Sequence, residues 1–355
     1  MTPTSLLRFL LAPFAVFYGL VVWVRNLLYD TDLLRSVEFD FPVIGVGNLS
    51  VGGSGKTPHV EYLIRLIAPH FRVGVLSRGY KRKTSGYVEA QASSMAEEVG
   101  DEPALLKRKY PFATVAVCEQ RATGVPQLLM NHPALQVVIL DDAFQHRSVR
   151  AGLSVLITSY SRLFTRDYIL PVGALREFRS AYKRAEFIVV SKCPPDLSSE
   201  EKNRIRREIN PLPGQLVFFS YLVYGKPYLF TDPTVKLEFD QYKVLLVTGI
   251  ASPSEPTAFL KSKVEKVFTM QFSDHHSFDR FDMERITETF QNIEGKNKVM
   301  ITTEKDAVRL LPFSEWIIEK KLPIFVLPVQ VEFFEEDKRL FDSEITGWLQ
   351  KLIVK

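Results

Sequence analysis

The residues best suited to chemistry form a glycine-rich turn near the start of the chain, which reads Gly52, Gly53, Ser54, Gly55, Lys56 and Thr57. The turn lies between an apolar stretch at 41–47, which predicts a strand, and a predicted helix at 56–68. In such a phosphate-binding loop, backbone N–H groups surround phosphates, the lysine reaches the β- and γ-phosphates, and the last hydroxyl ligates Mg²⁺. The strict pattern has a glycine where this chain has Ser50, so the loop is a variant. A chance glycine-rich turn is the alternative.

A pair of acids follows a second apolar run. Residues 137–140 predict a buried strand, and Asp141 and Asp142 come directly after it, followed by Ala143, Phe144, Gln145 and His146. Acids at the carboxyl end of a parallel strand beside a phosphate-binding loop can hold Mg²⁺ or its waters. Aspartate commonly ends strands, so the pairing with the glycine-rich turn is what favours the functional interpretation.

Three further loops follow other predicted strands. Residues 77–83 form a basic loop, which is either a solvated run of charges or a grip for phosphate. Residues 100–103 place Asp101 and Glu102 before a proline, which indicates either a helix cap or a carboxylate facing the γ-phosphate. Residues 175–177 bring an arginine and a glutamate after a Pro-Val-Gly turn.

The second half of the chain carries an acid followed by two histidines, Asp274, His275 and His276. This cluster is compatible with a metal site, a general base or a surface loop. Zinc is disfavoured because no further ligand follows at regular spacing, whereas a histidine near its reference pKa can accept a proton from a hydroxyl. Residues 302–306 open a predicted helix, and a helix cap is their simplest interpretation.

The apolar runs of the sequence predict the strands that position these loops. Predicted strands of the first block lie at 41–47, 72–76, 113–118, 137–140, 153–158 and 187–190, and those of the second at 244–248, 267–272, 298–302 and 324–331. Helical segments separate them, so the predicted fold is α/β with mostly parallel sheets: a P-loop NTPase three-layer α/β/α domain and a smaller α/β domain. The predicted divisions are an N-terminal helix at 1–30, a P-loop kinase domain at 31–214, a connector at 215–240 and a C-terminal α/β domain at 241–355.

The N-terminal segment is uncharged over 9–24 and is flanked by Arg8 and Arg25. A membrane-spanning helix needs about 20 apolar residues, with about 17 as the lower end. A signal peptide is disfavoured because no small-residue cleavage site precedes Arg25, and a core helix is the other alternative. The pattern predicts an uncleaved membrane helix that dips into or just crosses one leaflet boundary, with Trp23 and Tyr29 at the interface.

Composition sets broad limits. The 355 residues are 46% hydrophobic and 24% charged, which is ordinary for a globular protein, and the net charge of +4 does not argue for a nucleic-acid partner. The cysteines, Cys118 and Cys193, each end an apolar run, which predicts reduced and buried thiols in a cytosolic domain.

Taken together and in this order, the motifs resemble the tetraacyldisaccharide 4'-kinase family, the lipid A 4'-kinases. The segments that match the family pattern are 47–58, 77–80, 100–103, Arg121, 141–146, 171–177, 248–250, 274–275 and 303–308. The resemblance runs from the N-terminal segment to about residue 309, and the variant at Ser50 is itself a family trait. Two departures are Ala143, where the family has glycine, and a Pro-Val-Gly-Ala turn at 171–174.

The resemblance implies transfer of the ATP γ-phosphate to the 4'-hydroxyl of a lipid A disaccharide 1-phosphate. It places the enzyme at the bacterial inner membrane with its catalytic domains facing the cytoplasm. Separately, we expect the protein to be a monomer. The implied roles are ATP binding by the loop from Gly52 to Thr57, Mg²⁺ binding by Thr57, Asp141, Asp142 and Glu177, catalysis by Asp101, His275 and Lys56, and substrate binding by Arg78, Arg121, Gln145, His146 and Arg176.

Two other classes of protein stay open from the residues alone. One is a membrane-tethered P-loop ATPase or GTPase switch, or a metallochaperone. Guanine-specific proteins usually carry Asn/Thr-Lys-x-Asp after a late strand, and this chain has Ser191, Lys192, Cys193 and Pro194 there, which argues against GTP. The other is a non-enzymatic lipid-binding scaffold, which leaves the phosphate-binding loop unexplained.

Overall fold

The computed structural model describes residues 5–239 and 241–353. The first four residues of the predicted N-terminal helix, the last residue of the predicted connector and the last two of the predicted C-terminal domain therefore lie outside the described residues.

The strands follow one another along the described chain between residues 37 and 333. In chain order they are β1 (Val37–Glu38), β2 (Val43–Asn48), β3 (Val73–Ser77), β4 (Val88–Glu89), β5 (Thr114–Val117), β6 (Val137–Asp141), β7 (Val149–Arg150), β8 (Leu153–Ser159), β9 (Phe187–Ser191), β10 (Leu216–Tyr224), β11 (Tyr228–Leu229), β12 (Asp232–Lys236), β13 (Lys243–Thr248), β14 (Lys266–Gln271), β15 (Lys298–Thr303), β16 (Ile324–Leu327) and β17 (Val329–Phe333).

The α-helices lie between and around these strands, with short 3₁₀ turns at Phe164–Arg166, Arg179–Arg184 and Leu311–Phe313. In chain order they are α1 (Ser5–Asp30), α2 (Lys56–Ile67), α3 (Ala96–Val99), α4 (Asp101–Lys109), α5 (Arg121–Asn131), α6 (Ser199–Ile209), α7 (Ser254–Lys261), α8 (Arg280–Gln291), α9 (Glu304–Leu310), α10 (Ser314–Glu319) and α11 (Glu335–Ile353).

The larger sheet has the strand order β17-β10-β9-β8-β2-β6-β3-β5-β4, and only its edge pairs, β17 with β10 and β4 with β5, are antiparallel among the described strands. Its central strands are buried along their whole length, as the continuous apolar runs predict for a parallel sheet covered by helices on both faces. The predicted α/β fold is confirmed. We call this sheet with its covering helices the larger domain.

The smaller sheet has the order β12-β11-β16-β15-β13-β14, and its strands β14, β13, β15 and β16 are parallel. Helices α7 to α10 connect these strands, and an apolar core that includes Met283, Ile286 and Met300 lies between helix and sheet. We call this unit the smaller domain.

The predicted single strand at 324–331 is wrong, because Pro328 divides it. β16 ends at Leu327 in the smaller sheet, whereas β17 begins at Val329 and pairs with β10 in the larger sheet. Proline cannot donate to a strand ladder, so the chain changes sheets there. It also crosses between the sheets just after β10, and the two crossings touch, since the N–H of Gly225 donates to the carbonyl of Pro328 at 3.0 Å.

These crossings differ from the predicted division at 215–240. β10 lies in the predicted connector, yet it pairs with β9 inside the larger sheet. The chain after Pro328 likewise returns to the larger domain, where Phe333 and Phe341 stack with ring centroids 4.5 Å apart and join its core. The chain after Pro328 packs on the larger domain because its apolar side chains are buried against that core.

Helix α1 is long and mostly uncovered. Its 26 residues extend about 39 Å at 1.5 Å per residue, and apolar side chains such as Phe9 (78% exposed) and Val16 (73% exposed) face away from the protein. This exposure does not fit the alternative of a core helix. The C-terminal half of the helix docks on the larger domain, where the hydroxyl of Tyr18 donates to the carbonyl of Arg176 at 3.0 Å and Arg25 donates to the carbonyl of Gln145.

Candidate active site

A cleft of about 480 Å³ opens between the two domains, at the carboxyl ends of the parallel strands of the larger sheet. This is where ligands bind in open α/β sheets. Its walls come from both domains and include the glycine-rich turn, Arg78, Glu102, Asp142, Arg176, Lys192, Tyr224, Ala251, Glu255, His275, Thr303 and Lys305.

The glycine-rich turn has the geometry of a phosphate-binding loop. Gly55 adopts the left-handed conformation (φ 89°), which costs glycine little, and helix α2 begins at the next residue. The first N–H groups of a helix have no intrahelical partner and attract anions. Lys56 Nζ lies 3.1 Å from Asn48 Oδ1 and 3.3 Å from Asp142 Oδ1, which holds the ammonium at the mouth of the loop.

Asp142 is held in its ionised form. Burial alone would raise the pKa of its carboxyl group, but the charges of Lys56 and Arg176 lower that pKa well below its usual value. Both terminal nitrogens of Arg176 donate to this carboxylate, at 3.0 and 3.2 Å. Lys56 and Arg176 share the single carboxylate of Asp142 in this structure. A polyphosphate that enters the loop would therefore meet two cations.

The neighbouring acids Asp141 and Glu102 fit a magnesium site. Among the described residues, Asp141 Oδ1 is buried without a hydrogen bond, and burial together with the charges of Glu102 and Asp142 raises the pKa of Asp141 to about 7. Thr57 Oγ1 donates to Glu102 Oε1 at 2.9 Å. Asp142 and Glu102 are paired with Lys56, Arg176 and Lys305, whereas the carboxylate of Asp141 has no ion pair among the described residues.

The described residues include no group of three or more His, Cys, Asp or Glu side chains arranged as a metal site. Magnesium commonly takes one or two carboxylates and completes its shell with phosphates and waters, so this donor set suits the ion.

His275 and Asp101 meet across the cleft. His275 Nδ1 lies 2.9 Å from Asp101 Oδ2, and Arg309 Nε donates to the same oxygen at 3.0 Å. Burial would raise the pKa of Asp101, but the hydrogen bond from His275 and the charges of Lys305 and Arg309 lower it well below its usual value. An ionised Asp101 accepts a hydrogen bond from Nδ1–H, and this leaves Nε2 of the imidazole as the proton acceptor.

The two histidines differ in their surroundings. His275 has a left-handed backbone (φ 54°) and lines the cleft. A positive φ is uncommon outside glycine and is found repeatedly at functional sites. His276 instead contacts Asp282 at 2.7 Å and stacks on Phe272 with centroids 4.7 Å apart, so it braces the start of helix α8.

The turn that carries Asp101 is fixed by a close backbone contact. Gly100 has φ 93°, and a Cβ placed there would lie 3.2 Å from the Cα of Gly79. The positive φ and the close approach of Gly79 both favour glycine at position 100, and a Cβ at Gly79 would likewise lie 3.0 Å from the carbonyl of Val99. This contact puts Arg78 and Asp101 on one rim of the cleft.

Four of the predicted substrate-binding residues lie at or beside the cleft. Arg78 is exposed at its rim and Arg176 lines it. Gln145 Nε2 donates to the carbonyl of Asn48 at 2.8 Å, just behind the loop. Burial, with the charges of Arg121 and Arg78, lowers the pKa of His146 to about 4, so this imidazole is neutral near pH 7.

Two predicted site residues point elsewhere. Arg121 is fully buried, and its guanidinium donates to the carbonyls of Cys118 (2.8 Å) and Asp141 (2.9 Å), so it braces the acidic strand end from behind and cannot touch substrate in this structure. Glu177, predicted as a Mg²⁺ ligand, accepts hydrogen bonds from Asn26 (3.1 Å) and Arg184 (2.8 Å). Arg176 therefore lines the cleft, whereas the contacts of Glu177 direct it toward helix α1.

Sequence reasoning missed several residues that the fold brings to the site. Asn48 contacts Lys56, Lys305 pairs with Glu102, and Arg309 pairs with Asp101. Asn48 and Lys305 lie in segments that match the family pattern, and Arg309 comes directly after one, so that pattern was the available signal. Their partners lie far away in sequence, which is why no role could be assigned.

Comparisons with known proteins agree along almost the whole chain. The family model described as "Tetraacyldisaccharide-1-P 4'-kinase" matches residues 7–349. The chain is 43% identical to the tetraacyldisaccharide 4'-kinase of Bacteroides thetaiotaomicron, covering 96% of this chain and 93% of that protein. It is also 43% identical to the enzyme of that name from Flavobacterium johnsoniae, covering 98% of each.

A solved structure shows that the fold is similar as well. The crystal structure of LpxK from Aquifex aeolicus in complex with ATP superposes with a TM-score of 0.73 at 29% sequence identity, covering 98% of this chain and 99% of that one. The family model, the relatives and the solved structure each match nearly the whole chain. This chain therefore belongs to the tetraacyldisaccharide-1-P 4'-kinase family.

Proposed function

We propose that this protein transfers the γ-phosphate of ATP to the 4'-hydroxyl of a tetraacyl disaccharide 1-phosphate in lipid A biosynthesis. The observation that carries the proposal is one cleft with a phosphate-binding loop on one wall and the His275–Asp101 pair on the other. Family membership supplies the identity of the acceptor.

Phosphoryl transfer depends on positioning and on charge neutralisation. The backbone N–H groups that open α2 would hold the β- and γ-phosphates, and Lys56 would exchange Asp142 for the γ-phosphate. Thr57, Asp141, Asp142 and Glu102 are the residues that would hold Mg²⁺, which when bound neutralises charge on the phosphates. Arg176 would keep Asp142 in place while Lys56 moves to the nucleotide.

The acceptor hydroxyl needs a group that takes its proton. Nε2 of His275 faces the cleft when Nδ1–H donates to Asp101, so it would accept that proton as the oxygen attacks. Asp101 would stabilise the resulting imidazolium, and Arg309 would hold Asp101 in the required orientation. Because His275 and the loop lie on different domains, approach of the two domains would assemble the site.

An acidic, acylated acceptor explains the features around the cleft. Arg78 at the rim would bind the phosphate of the acceptor, with His146, Gln145 and Arg176 around the sugar. The exposed apolar face of helix α1 would enter the membrane beside the site, while Arg25 keeps its hydrogen bond to the carbonyl of Gln145 on the larger domain. We place the enzyme, as a monomer, at the bacterial inner membrane with both domains in the cytoplasm.

The test is turnover of ATP and of GTP, each with and without the disaccharide lipid, with product identified by mass spectrometry. We expect ATP consumption that depends on the lipid and a product heavier by one phosphate. Lipid-independent hydrolysis would favour a switch or metallochaperone ATPase, and nucleotide binding without turnover would favour a scaffold. Either result contradicts the proposal.

A further inference from the structure

Three helices that carry residues of the site pack together beneath the cleft. Helix α2 begins with Lys56, α4 begins with Asp101, and α9 includes Lys305 and Arg309. The first two belong to the larger domain and the third to the smaller domain. The geometry of the site therefore depends on how these helices are held against one another.

One ammonium group contacts the other two helices. Lys109, the last residue of α4, places Nζ 2.5 Å from Glu61 Oε2 on α2 and 2.9 Å from Glu304 Oε1 on α9. The two carboxylates are almost fully buried, at 2% and 4% exposure. The phosphoryl-transfer steps described above use none of these three side chains.

Neighbouring groups donate further hydrogen bonds to both glutamates. The hydroxyl of Tyr110 donates to Glu61 at 3.0 Å, and the N–H of Val329 donates to Glu304 at 3.1 Å. Val329 begins β17, directly after the crossing back to the larger domain, so Glu304 contacts the larger domain twice. Burial would lower the pKa of Lys109, but the charges of Glu61 and Glu304 raise it overall, so the group is an ammonium.

The ammonium of Lys109 offsets the charge of two buried carboxylates. Two buried carboxylates face one cation, and burial raises the pKa of Glu304 even while that cation is present. Removing the cation would leave the pair either to repel or to take up a proton, each at a cost in stability. The carboxylates belong to different domains, so loss of the cation removes the tie between α9 and α2, and any remaining repulsion would push the two helices apart. A movement of α9 away from the larger domain would also separate Glu102 from Lys305 and Asp101 from Arg309, because those pairs join α4 to α9.

We propose that Lys109 is a positioning residue for phosphoryl transfer: by binding Glu61 and Glu304 together, it sets the domain contact in which the His275–Asp101 pair faces the phosphate-binding loop. The proposal rests on the proposed kinase function. Lys109 lies about 12 Å along α4 from Asp101, at 1.5 Å per residue, so it acts through the helices and not by touching reactants.

The experiment compares three variants of the full-length protein with the wild type. Lys109→Met keeps the length of the side chain and removes the charge. Lys109→Met with Glu304→Gln removes the repulsion as well, while the tie between the domains stays broken. Lys107→Met is the matched control, because Lys107 lies on the same helix but donates only to the carbonyls of Pro111 and Ala113 nearby.

For each variant we would measure kcat, KM for the lipid, Kd for ATP and the thermal midpoint. We expect Lys109→Met to lower kcat about 10- to 100-fold, since a displacement of about 1 Å can cost on the order of 10²-fold. The Kd for ATP should stay within about twofold, because the phosphate-binding loop is intact. The double variant should recover the thermal midpoint and keep the low kcat.

Recovery of kcat together with the thermal midpoint in the double variant would overturn the proposal, because the role would then be stability alone. Normal kcat in a folded Lys109→Met protein would overturn it as well. The wild type and Lys107→Met report on the proposed function separately: if neither phosphorylates the lipid, the kinase assignment fails, whereas activity in both with unchanged activity in Lys109→Met removes only this inference.

Discussion

Nδ1 of His275 lies 2.9 Å from Oδ2 of Asp101, although the two residues are 174 positions apart and lie on different domains. Arg309 donates to the same carboxylate oxygen from the side of the smaller domain. This contact engages Nδ1, so Nε2 is the ring nitrogen that does not contact Asp101, and His275 lines the cleft. The pair exists only while the two domains touch.

The first prediction concerns this pair. His275→Ala and Asp101→Ala should each lower kcat by about 10²–10⁴, the usual cost of losing general-base catalysis, with little change in KM for ATP. Residues that act as one unit show strongly non-additive effects, so the double mutant should be scarcely worse than the poorer single mutant. Steady-state kinetics at saturating ATP and lipid give both quantities.

The control for this prediction is His276→Ala. His276 contacts Asp282 and stacks on Phe272, so its removal should lower the thermal midpoint while kcat per folded molecule changes little. A severe loss of kcat in His276→Ala with a silent His275→Ala would show that the wrong histidine is assigned. Multiplicative losses in the double mutant would contradict the pairing.

The second prediction tests the nucleotide site. Lys56→Met should abolish most turnover, by about 10²–10³-fold, because a preorganised charge at the transferred phosphoryl group is lost. The fold should persist, since Arg176 still pairs with Asp142. Circular dichroism would verify folding. Near-normal kinase activity in a folded Lys56→Met protein would exclude this loop as the ATP site.

The third prediction separates the two halves of α1. Deleting residues 1–16 removes much of the exposed apolar surface and leaves the docking contacts of Tyr18, Arg25 and Asn26. This variant should move from the membrane to the soluble fraction, with unchanged ATP affinity and thermal midpoint. Deleting 1–27 should also lower the thermal midpoint, because Glu177 loses the hydrogen bond from Asn26.

Fractionation of cell lysates and calorimetry distinguish these outcomes. Should the protein lacking residues 1–16 sediment with membranes as fully as the intact chain, α1 is not the membrane contact. The basic loop around Arg78 would then be the next surface to test.

The fourth prediction is a pH dependence of stability that arises at His59. This residue lies on α2, fully buried, with Nδ1 2.7 Å from the carbonyl of Gly55 and Nε2 2.9 Å from Ser220 Oγ. Burial lowers the pKa of His59 to about 4, below the value of about 6.5 in an unfolded chain. The unfolded state therefore binds the proton first as pH falls, and the free energy of unfolding decreases between about pH 6.5 and 4.

The size of this decrease should be on the order of 3 kcal/mol, at 1.36 kcal/mol per pKa unit. Urea unfolding of the wild type and of His59→Gln across this range gives the comparison, and the difference between them should shrink as the pH falls. His70→Gln is the matched control, because His70 is exposed near the end of the same segment and should follow the wild type. Parallel pH profiles for wild type and His59→Gln would contradict the assignment.

The sequence alone indicated the α/β fold, the phosphate-binding loop and the acids Asp141 and Asp142. Each of these depends on local pattern: the apolar runs set the strands, and a fixed spacing of Gly55, Lys56 and Thr57 sets the loop between strand and helix. The order of the motifs then indicated the family. These features are readable because the residues that define them are neighbours in the chain.

Only the tertiary structure decided which side chains meet. Glu177 and Arg121 belong to the expected motifs, yet packing turns one toward α1 and buries the other behind the acidic strand end. Arg309 and Lys109 carry no local pattern, and their partners Asp101 and Glu304 are far away in sequence. A side chain's direction and its partners depend on how distant segments pack, so the domain contact that completes this site had to come from the fold.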